Sequence, residues 1–299
     1  MSVPQRFFDA HVHFWDPACR CWYPFLAPDA VSAVGLGTAT GMKRRYDAAT
    51  YRSDAASVVL DGVVHVTAAR GSGNYLAETE SLAKLRSVDG LPTALVGGFD
   101  PAASLAVIEA ELDAQAREPA FVGVRTMEPL DYSQATTDAV LGLVAERGLV
   151  FDVVTHPDEM ATVAETLETH PSVTFVVEHT GWPLVADDAT HTRAWRAGMQ
   201  ALAASGTHVY CKLSGLAMTL HTFDTEALRP WIEYAIDVFG VDRCLFGSNF
   251  PVDAMFGTFA DLIQAYATIT APLGAQAQAK LFSGNTRAVY ASGPTTIDR

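Results

Sequence analysis

The chain has 299 residues, of which 49% are hydrophobic and 18% charged, so it is long enough to bury a large core. Its formal net charge of -14 gives an acidic surface that repels nucleic-acid phosphates and anionic membranes. No apolar run reaches the roughly 18 residues of a membrane span, and the start MSVPQRFFDA lacks a signal-peptide pattern. We therefore expect a cytoplasmic protein with reduced cysteines and with neither nucleic-acid nor membrane partners.

The first predicted strand is RFFDAHVHF (6–14), which carries His11 and His13. Residues two apart on a strand point to the same face, so the two imidazoles should lie side by side. Residues 16–51 follow with few helix or strand patterns but with the aromatic stretch CRCWYPFLAP. A loop of this length is usually functional or disordered, and its aromatic residues favour order. We expect a lid over the binding face, with Trp22 and Tyr23 lining the pocket or pinning the loop; a packing flap elsewhere is the alternative.

Seven more buried strands are predicted after this loop, because short apolar, β-branched runs recur and end in polar, Gly or Pro residues. They are SVVLDGVVHVTA (57–68), TALVGGFD (93–100), FVGVRT (121–126), LVFDVVTH (149–156), VTFVVEH (173–179), HVYCKLS (208–214) and RCLFGSN (243–249). Helical patterns lie between and after them at 75–90, 104–118, 138–148, 158–170, 193–206, 225–240, 257–268 and 275–290. The first of these should begin after the N-cap Asn74 and end at Gly90.

Eight strands alternating with helices predict an α/β protein, a (β/α)8 TIM barrel with a long first βα loop over its mouth. We expect a single domain over residues 1–299. A doubly wound open sheet is the alternative fold. It has five or six strands and usually a Gly-rich phosphate loop, and the sequence contains neither pattern.

Polar side chains stand at the carboxyl ends of the predicted strands, where the active sites of such barrels lie. Besides the two histidines of the first strand, they are Arg125, His156, His179, Lys212, Ser214 and Asn249. We expect them to converge on one mouth. Two or three neutral imidazoles suit a zinc ion. A His-x-His pair alone is more often structural, but the further histidine His179 favours a metal or substrate site.

Six motifs of this chain resemble, in the same order, those of the amidohydrolase-related lactonase family. This branch of the amidohydrolase superfamily includes sugar-acid lactonases and 2-pyrone-4,6-dicarboxylate lactonase. The motifs are FDAHVHFWDP, GVRT, FDVVTHP, FVVEHTGWP, CKLSGL and CLFGSNFPVD, and they span residues 8–253. The stretch WYPFL in the first loop also fits. The resemblance implies an amidohydrolase-type barrel that hydrolyses ester bonds.

The resemblance also implies roles for individual residues. His11, His13 and His179 match the superfamily's metal ligands, and the cofactor it implies is a divalent metal, zinc in the first instance. Some members of the branch use no metal and contact substrate through the same histidines. Arg125 in GVRT resembles an arginine that binds a carboxylate or lactone, although pairing with an acid such as Glu128 stays open. No bridging lysine or glutamate stands on strand four, so a two-metal site is not expected.

Asn249 departs from the pattern of the superfamily, which places an aspartate at the end of strand eight as the base. An amide cannot take a proton from water. In one explanation Asn249 positions water or substrate, and His156 or, second, Asp253 is the base. In another, water activated by a metal attacks without a separate base. In the third, the protein is not a hydrolase.

The function that this resemblance implies is opening of a lactone of a sugar acid or of a carboxylated ring, and we expect a small, anionic substrate. Lys212 would steady the substrate or a developing oxyanion, unless it is salt-bridged, and Trp182 would border the mouth. A decarboxylase, a lactone isomerase and a catalytically inactive binding barrel are the alternatives. Pairing of two barrels through outer helices, as a homodimer, stays open.

Overall fold

The protein is seen in a computed structural model that describes residues 5–19, 21–27, 30, 39–183 and 188–291. This part of the chain contains eight strands in one parallel sheet, and neighbouring strands follow chain order. The strands are β1 (Arg6–Val12), β2 (Val59–Val66), β3 (Ala94–Gly98), β4 (Phe121–Arg125), β5 (Val150–Val153), β6 (Thr174–Val177), β7 (Val209–Leu213) and β8 (Cys244–Phe246). Each predicted strand is therefore confirmed, with shorter bounds.

The sheet closes into a barrel where β1 meets the residues after β8. Val12 and Phe250 form a parallel bridge, and the N–H of Asn249 donates to the His11 carbonyl at 2.8 Å. The predicted (β/α)8 barrel is thus confirmed, and the doubly wound sheet is excluded. Closure also brings Asn249 directly beside the histidines of the first strand.

Helices cover the outside of the barrel. In the described ranges they are α1 (Ala48–Asp54), α2 (Asn74–Asp89), α3 (Leu105–Gln115), α4 (Ala135–Glu146), α5 (Met160–Thr169), α6 (Ala189–Ala204), α7 (Ala217–Leu220), α8 (Thr225–Phe239), α9 (Phe259–Thr270), α10 (Ala275–Ala279) and α11 (Asn285–Tyr290). Every one of them falls short of the length or the apolar composition that crossing a bilayer requires.

Strand residues alternate between two separate cores. Side chains from all eight strands, among them Phe8, Val64, Val176 and Leu245, form one cluster, which can only lie inside the barrel. Their sequence neighbours pack in a larger layer between the strands and the helices. Burial on both faces explains why the strands read as continuous apolar runs. Tyr290 of α11 joins the interior cluster, so the last helix reaches into the barrel.

The predicted C-terminal helix is divided by one π-helical turn, Lys280–Gly284. The extra residue in this turn rotates the chain that follows it, and Asn285 then donates from its side chain to the carbonyls of Val241 and Cys244 at 2.7 and 2.6 Å. A second difference concerns α2, whose N-cap is Gly73 rather than Asn74. The amide of Asn74 instead donates to the carbonyls of Arg70 and Cys21, so it holds the first loop.

The two ends of the first loop lie next to each other, because Trp15 and Tyr46 form an antiparallel bridge. Helix α1 lies on its return path and was not predicted. Asp47 caps α1 by accepting from the N–H of Thr50 at 3.0 Å. Residues 20, 28–29 and 31–38 of the predicted lid lie outside the described part of the chain.

Candidate active site

The two histidines of β1 contact each other at the end of the strand. His11 Nε2 lies 3.2 Å from His13 Nε2, and both side chains are buried. His13 Nδ1 lies 2.8 Å from the Val66 carbonyl, which can only accept, so this nitrogen carries the hydrogen. The Nε2 atom of a neutral His13 therefore presents a lone pair towards His11. Trp15 stacks on the His13 ring with an interplanar angle of 6°.

Asp9 fixes the irregular end of β1 rather than pointing at a ligand. Its carboxylate accepts from the N–H groups of His11 and Ser248 and from the Tyr51 hydroxyl, at 2.8 to 3.1 Å. These bonds tie β1 to the residues after β8 and to α1. The register of β1 against β2 shifts between Asp9 and Val12, which is where the histidines turn towards the mouth.

Glu178 and His179 stand on a tight turn that follows β6. His179 and Thr180 have positive φ values of 52° and 56°, and the Thr180 carbonyl accepts from the Trp195 indole at 2.8 Å. His179 Nδ1 lies 3.0 Å from the Ser214 hydroxyl. Gly215 leaves room for this ring, since a Cβ there would lie 2.3 Å from His179 Nδ1. The turn is thus held in a strained conformation that presents two polar side chains at the mouth.

His11, Glu178 and His179 form a group in which one ligand atom of each lies within 4.8 Å of the others. Within the described ranges this is the only set of three such residues at that spacing. It contains Glu178, which was not predicted, and it does not include His13. The signal for Glu178 was a charged residue closing the otherwise apolar run VTFVVEH.

This group fits a divalent metal. His11 Nδ1 and Glu178 Oε1 are buried without a hydrogen-bond partner, and they lie 3.8 Å apart. That separation is too long for a hydrogen bond but shorter than the roughly 4.2 Å that two zinc–ligand bonds of about 2.1 Å can span. Two histidines and one carboxylate are also a donor set that catalytic zinc sites use.

The three histidines are neutral. Burial lowers the pKa of His11, His13 and His179 well below the ordinary value. The positive charge of Arg125 lowers it further in all three, and that of Lys212 does so for His11 and His179. A neutral imidazole keeps a lone pair for a metal or for a substrate hydroxyl. The cluster can therefore act as a set of ligands or acceptors over the whole neutral range.

Arg125 is buried and is committed to protein partners. Its Nη1 donates to Glu178 Oε2 at 2.8 Å, and its Nε donates to the Thr67 carbonyl at 2.9 Å. The proposed pairing with Glu128 is not what the structure has, because Glu128 accepts from the Tyr75 hydroxyl at 2.7 Å. Arg125 does pair with a buried acid, as the alternative prediction had it, but that acid is Glu178.

Lys212 is fully buried inside the barrel, where its ammonium donates to Asp152 at 2.5 Å. Asp152 also accepts from the Tyr290 hydroxyl at 2.5 Å. Burial raises the pKa of Asp152, and the positive charge of Lys212 opposes that rise. This geometry favours the salt-bridged alternative for Lys212 over contact with substrate.

Asn249 and Asp253 form a buried pair after β8. Asn249 adopts φ of 56°, a left-handed conformation that asparagine tolerates, and its side-chain N–H donates to Asp253 Oδ1 at 2.8 Å. The other oxygen of Asp253 has no hydrogen-bond partner. Burial raises the pKa of Asp253 to about 8, so this carboxyl is mostly protonated at neutral pH.

His156 and Trp182 border the histidine cluster. The His156 ring lies 5.4 Å from the Trp182 ring, which lies 5.0 Å from the His179 ring. His156 is half-buried and its Nδ1 has no hydrogen-bond partner. An imidazole with a free nitrogen therefore stands one aromatic ring away from the candidate ligands.

Of the two roles predicted for Trp22 and Tyr23, lining the pocket or pinning the first loop, the contacts of Tyr23 fit the second. Tyr23 is buried and its hydroxyl donates to Glu78 at 2.9 Å. Trp22 lines a cavity of about 380 Å³ between the first loop and the α2 residues Leu82 and Leu85. Trp15, which immediately precedes this loop, stacks on His13, and sequence reasoning did not single it out.

The family model described as amidohydrolase matches residues 8–291. Uncharacterized protein y4mH of Sinorhizobium fredii is 30% identical over 295 residues, covering 94% of this chain and 97% of that protein. The L-fucono-1,5-lactonase of Burkholderia ambifaria is 28% identical, covering 93% of this chain and 92% of that protein.

Solved structures show the same fold. An amidohydrolase from Burkholderia multivorans is 25% identical and covers 95% of this chain and 99% of its own; a crystal form with bound HEPES gives a TM-score of 0.81 and one with bound zinc gives 0.80. Structures at 13% and 14% identity share the fold alone, with TM-scores of 0.70 and 0.65. They are a probable 2-pyrone-4,6-dicarboxylic acid hydrolase and a 5-carboxyvanillate decarboxylase. With nearly its whole length matched, the chain belongs to the amidohydrolase 2 family.

Proposed function

We propose that this protein opens the lactone of a sugar acid, a ring that carries hydroxyl groups but no charge. The observation that carries the proposal is the buried group of His11, Glu178 and His179 at the mouth of the barrel. The similarity to an L-fucono-1,5-lactonase over almost the whole chain supports a sugar lactone as the substrate.

A divalent metal, zinc in the first instance, suits this site, and His11, Glu178 and His179 would hold it. When bound, such an ion polarises a carbonyl group and lowers the pKa of water. His13 would keep the His11 ring in place through the contact at 3.2 Å. Arg125 would hold Glu178 in position by its hydrogen bond to the second carboxylate oxygen.

The charges of the site favour an uncharged ring over the anionic substrate expected from the sequence. The two cations at the strand ends are already paired, Arg125 with Glu178 and Lys212 with Asp152. The carboxylate of a carboxylated lactone would lose its hydration on entering the mouth. It would need an unpaired cation of its own, besides a metal that acts on the lactone carbonyl. A sugar lactone would instead bind through hydrogen bonds to its hydroxyl groups and through packing on an aromatic ring such as that of Trp182.

His156 is the residue we assign to proton transfer. Its free Nδ1 would take a proton from the water that adds to the lactone carbonyl, and would return it to the ring oxygen as the carbon–oxygen bond breaks. Asp253 suits the role of base less well, because its raised pKa keeps it protonated near neutral pH. Asn249, held by Asp253, would orient the reactants without exchanging a proton.

A panel of uncharged and carboxylated lactones, followed with a pH indicator, tests this function. We expect turnover of at least one uncharged sugar lactone. His156→Ala should lower kcat by about 10² to 10⁴, the usual contribution of a general acid–base residue. His170→Ala is the matched control, because His170 stands at the end of α5, where its Nδ1 is bonded to the Thr166 carbonyl.

Each other outcome points to a specific error. Turnover confined to carboxylated lactones would contradict the argument from charge. Full activity of His156→Ala would remove His156 from the mechanism. Binding of lactones with no turnover would favour a catalytically inactive barrel over a hydrolase.

A further inference from the structure

Three consecutive residues at the end of β2 each hold a part of the site. His65 Nδ1 accepts from the N–H of Phe14 at 3.1 Å. The Val66 carbonyl holds His13 Nδ1 at 2.8 Å, and the Thr67 carbonyl accepts from Arg125 Nε at 2.9 Å. The position of this short stretch therefore sets the orientation of His13 and Arg125.

Glu78 of α2 contacts His65, Thr67 and Ala68 at this end of β2. This buried carboxylate accepts from the N–H of Ala68 at 3.2 Å and from the Thr67 hydroxyl. His65 Nε2 lies 3.6 Å from its second oxygen. Burial raises the pKa of Glu78, but His65 and the donated hydrogen bonds outweigh burial and lower it, so the carboxylate is ionised.

The fourth partner of Glu78 comes from the first loop. The Tyr23 hydroxyl donates to Glu78 Oε1 at 2.9 Å, across 55 residues of sequence. The Tyr23 ring also lies 6.4 Å from the ring of Trp15, the residue that stacks on His13. The loop is thus connected to the site twice, through an aromatic stack and through a buried acid.

We infer that Glu78 is a positioning residue, which couples docking of the first loop, through Tyr23, to the orientation of His13 and Arg125. The inference rests on the proposed function, since it assigns those two side chains to a working site. A docked loop completes the hydrogen bonds of Glu78, and Glu78 then holds the carbonyls of Val66 and Thr67 where the site needs them. When Tyr23 is displaced, Glu78 Oε1 loses the shorter of its two donated hydrogen bonds and keeps only that from Ala68 at 3.2 Å, so the end of β2 is less firmly held.

The test compares Tyr23→Phe with Tyr46→Phe. Both substitutions remove one buried tyrosine hydroxyl from the same loop, and Tyr46 donates to Asp54 of α1 at 2.8 Å instead of to Glu78. We expect Tyr23→Phe to lower kcat about tenfold with little change in KM, because the reacting groups are misplaced by a fraction of an ångström. Tyr46→Phe should keep kcat, and the two variants should lower Tm by similar amounts.

Glu78→Gln and the double variant Tyr23→Phe/Glu78→Gln complete the cycle. We expect the double variant to be no slower than Glu78→Gln alone, since both changes break the same connection. Equal losses in Tyr23→Phe and Tyr46→Phe, or a rise in KM with unchanged kcat in Tyr23→Phe, would overturn the inference. The second result would mean that the loop only covers the substrate.

Hydrogen exchange separates failure of this inference from failure of the proposed function. In Tyr23→Phe the amide of Ala68, which donates to Glu78, should exchange faster than in the wild type, and Tyr46→Phe should leave it unchanged. This readout needs no substrate. If the wild type lacks lactonase activity but the variants show this exchange pattern, the proposed function is refuted and the coupling of Tyr23 to the end of β2 through Glu78 is kept. If exchange of the Ala68 amide is unchanged in Tyr23→Phe, that coupling is refuted.

Discussion

Asp253 has a carboxyl group whose pKa is raised by burial from 3.8 to about 8 beside the amide of Asn249. A group whose pKa is raised on folding stabilises the protein fully below its unfolded pKa. That contribution is lost as pH rises from about 4 towards the folded pKa. The residue is thus a neutral acid in the folded protein at pH 7, and its neutral form is what the fold selects.

We expect Asp253→Asn, which keeps the shape and removes the titration, to gain stability relative to wild type as pH rises. The gain should grow between about pH 4 and 8 by at most about 1.4 kcal/mol per pH unit and should level off above pH 8. Urea unfolding of both proteins across this range measures it. A constant difference would mean that Asp253 is ionised at neutral pH and would return it to the list of candidate bases.

The two carboxylate oxygens of Glu178 have different surroundings. The carboxylate of Glu178 gives one oxygen to Arg125 and leaves the other without a partner, facing His11. An unpaired oxygen of a buried carboxylate is costly, unless a cation or a ligand satisfies it. The residue geometry therefore indicates a site that is complete only with its ligand.

Among the elements, β5, β7 and α11 are joined inside the barrel by one buried network. Asp152 of β5 accepts from Lys212 of β7 and from Tyr290 of α11, each at 2.5 Å. The Lys212 ammonium also lies 5.2 Å from the centre of the Tyr290 ring. The hydroxyl of Tyr290 thus gives Asp152 a second hydrogen-bond donor beside Lys212.

Breaking this network on one side should be costly. We expect Lys212→Met to lower the free energy of unfolding by about 3 to 5 kcal/mol, because it leaves Asp152 buried without its counter-ion. The double variant Asp152→Asn/Lys212→Met should lose much less than the two single losses combined. Tyr290→Phe, which removes a single hydrogen bond to a charged group, should cost about 1.5 to 3 kcal/mol.

Denaturant unfolding of the wild type, Asp152→Asn, Lys212→Met, their double variant and Tyr290→Phe provides these values. A loss below about 1 kcal/mol for Lys212→Met would mean that the ammonium is solvated or bound elsewhere, and contact with substrate would again be open.

For the whole molecule, a resident metal would be linked to folding, since its ligands come from β1 and from the turn after β6. An ion that binds only the folded state stabilises it by about 2.7 kcal/mol at a concentration 100 times its Kd. We expect added zinc to raise the Tm of chelator-treated wild type, and this rise to disappear in His179→Ala and Glu178→Gln. His170→Ala should keep it.

The readout is thermal unfolding together with metal content by elemental analysis. An equal rise of Tm in all of these proteins would place zinc elsewhere on the acidic surface, where a net charge of -14 attracts cations. Turnover of a lactone after complete chelation would make His11 and His179 substrate contacts.

Recurring apolar, β-branched runs predicted the eight strands, because strands buried on both faces leave continuous apolar runs, and their alternation with helical patterns predicted the barrel. The rule that parallel strands end at one mouth then placed His11, His13 and His179 together. The resemblance of six motifs indicated the family, which the match over residues 8–291 confirms. These conclusions depend on local patterns and on the order of elements, both of which a sequence contains.

Only the tertiary structure decided which charged groups meet. Arg125 pairs with Glu178 across 53 residues, and Lys212 with Asp152 across 60. Tyr23 could have faced the pocket or pinned the loop, and its hydroxyl is bonded to Glu78 of α2. Partner choice among buried charges depends on which side chains closure of the barrel brings within about 3 Å, and no local pattern encodes that distance.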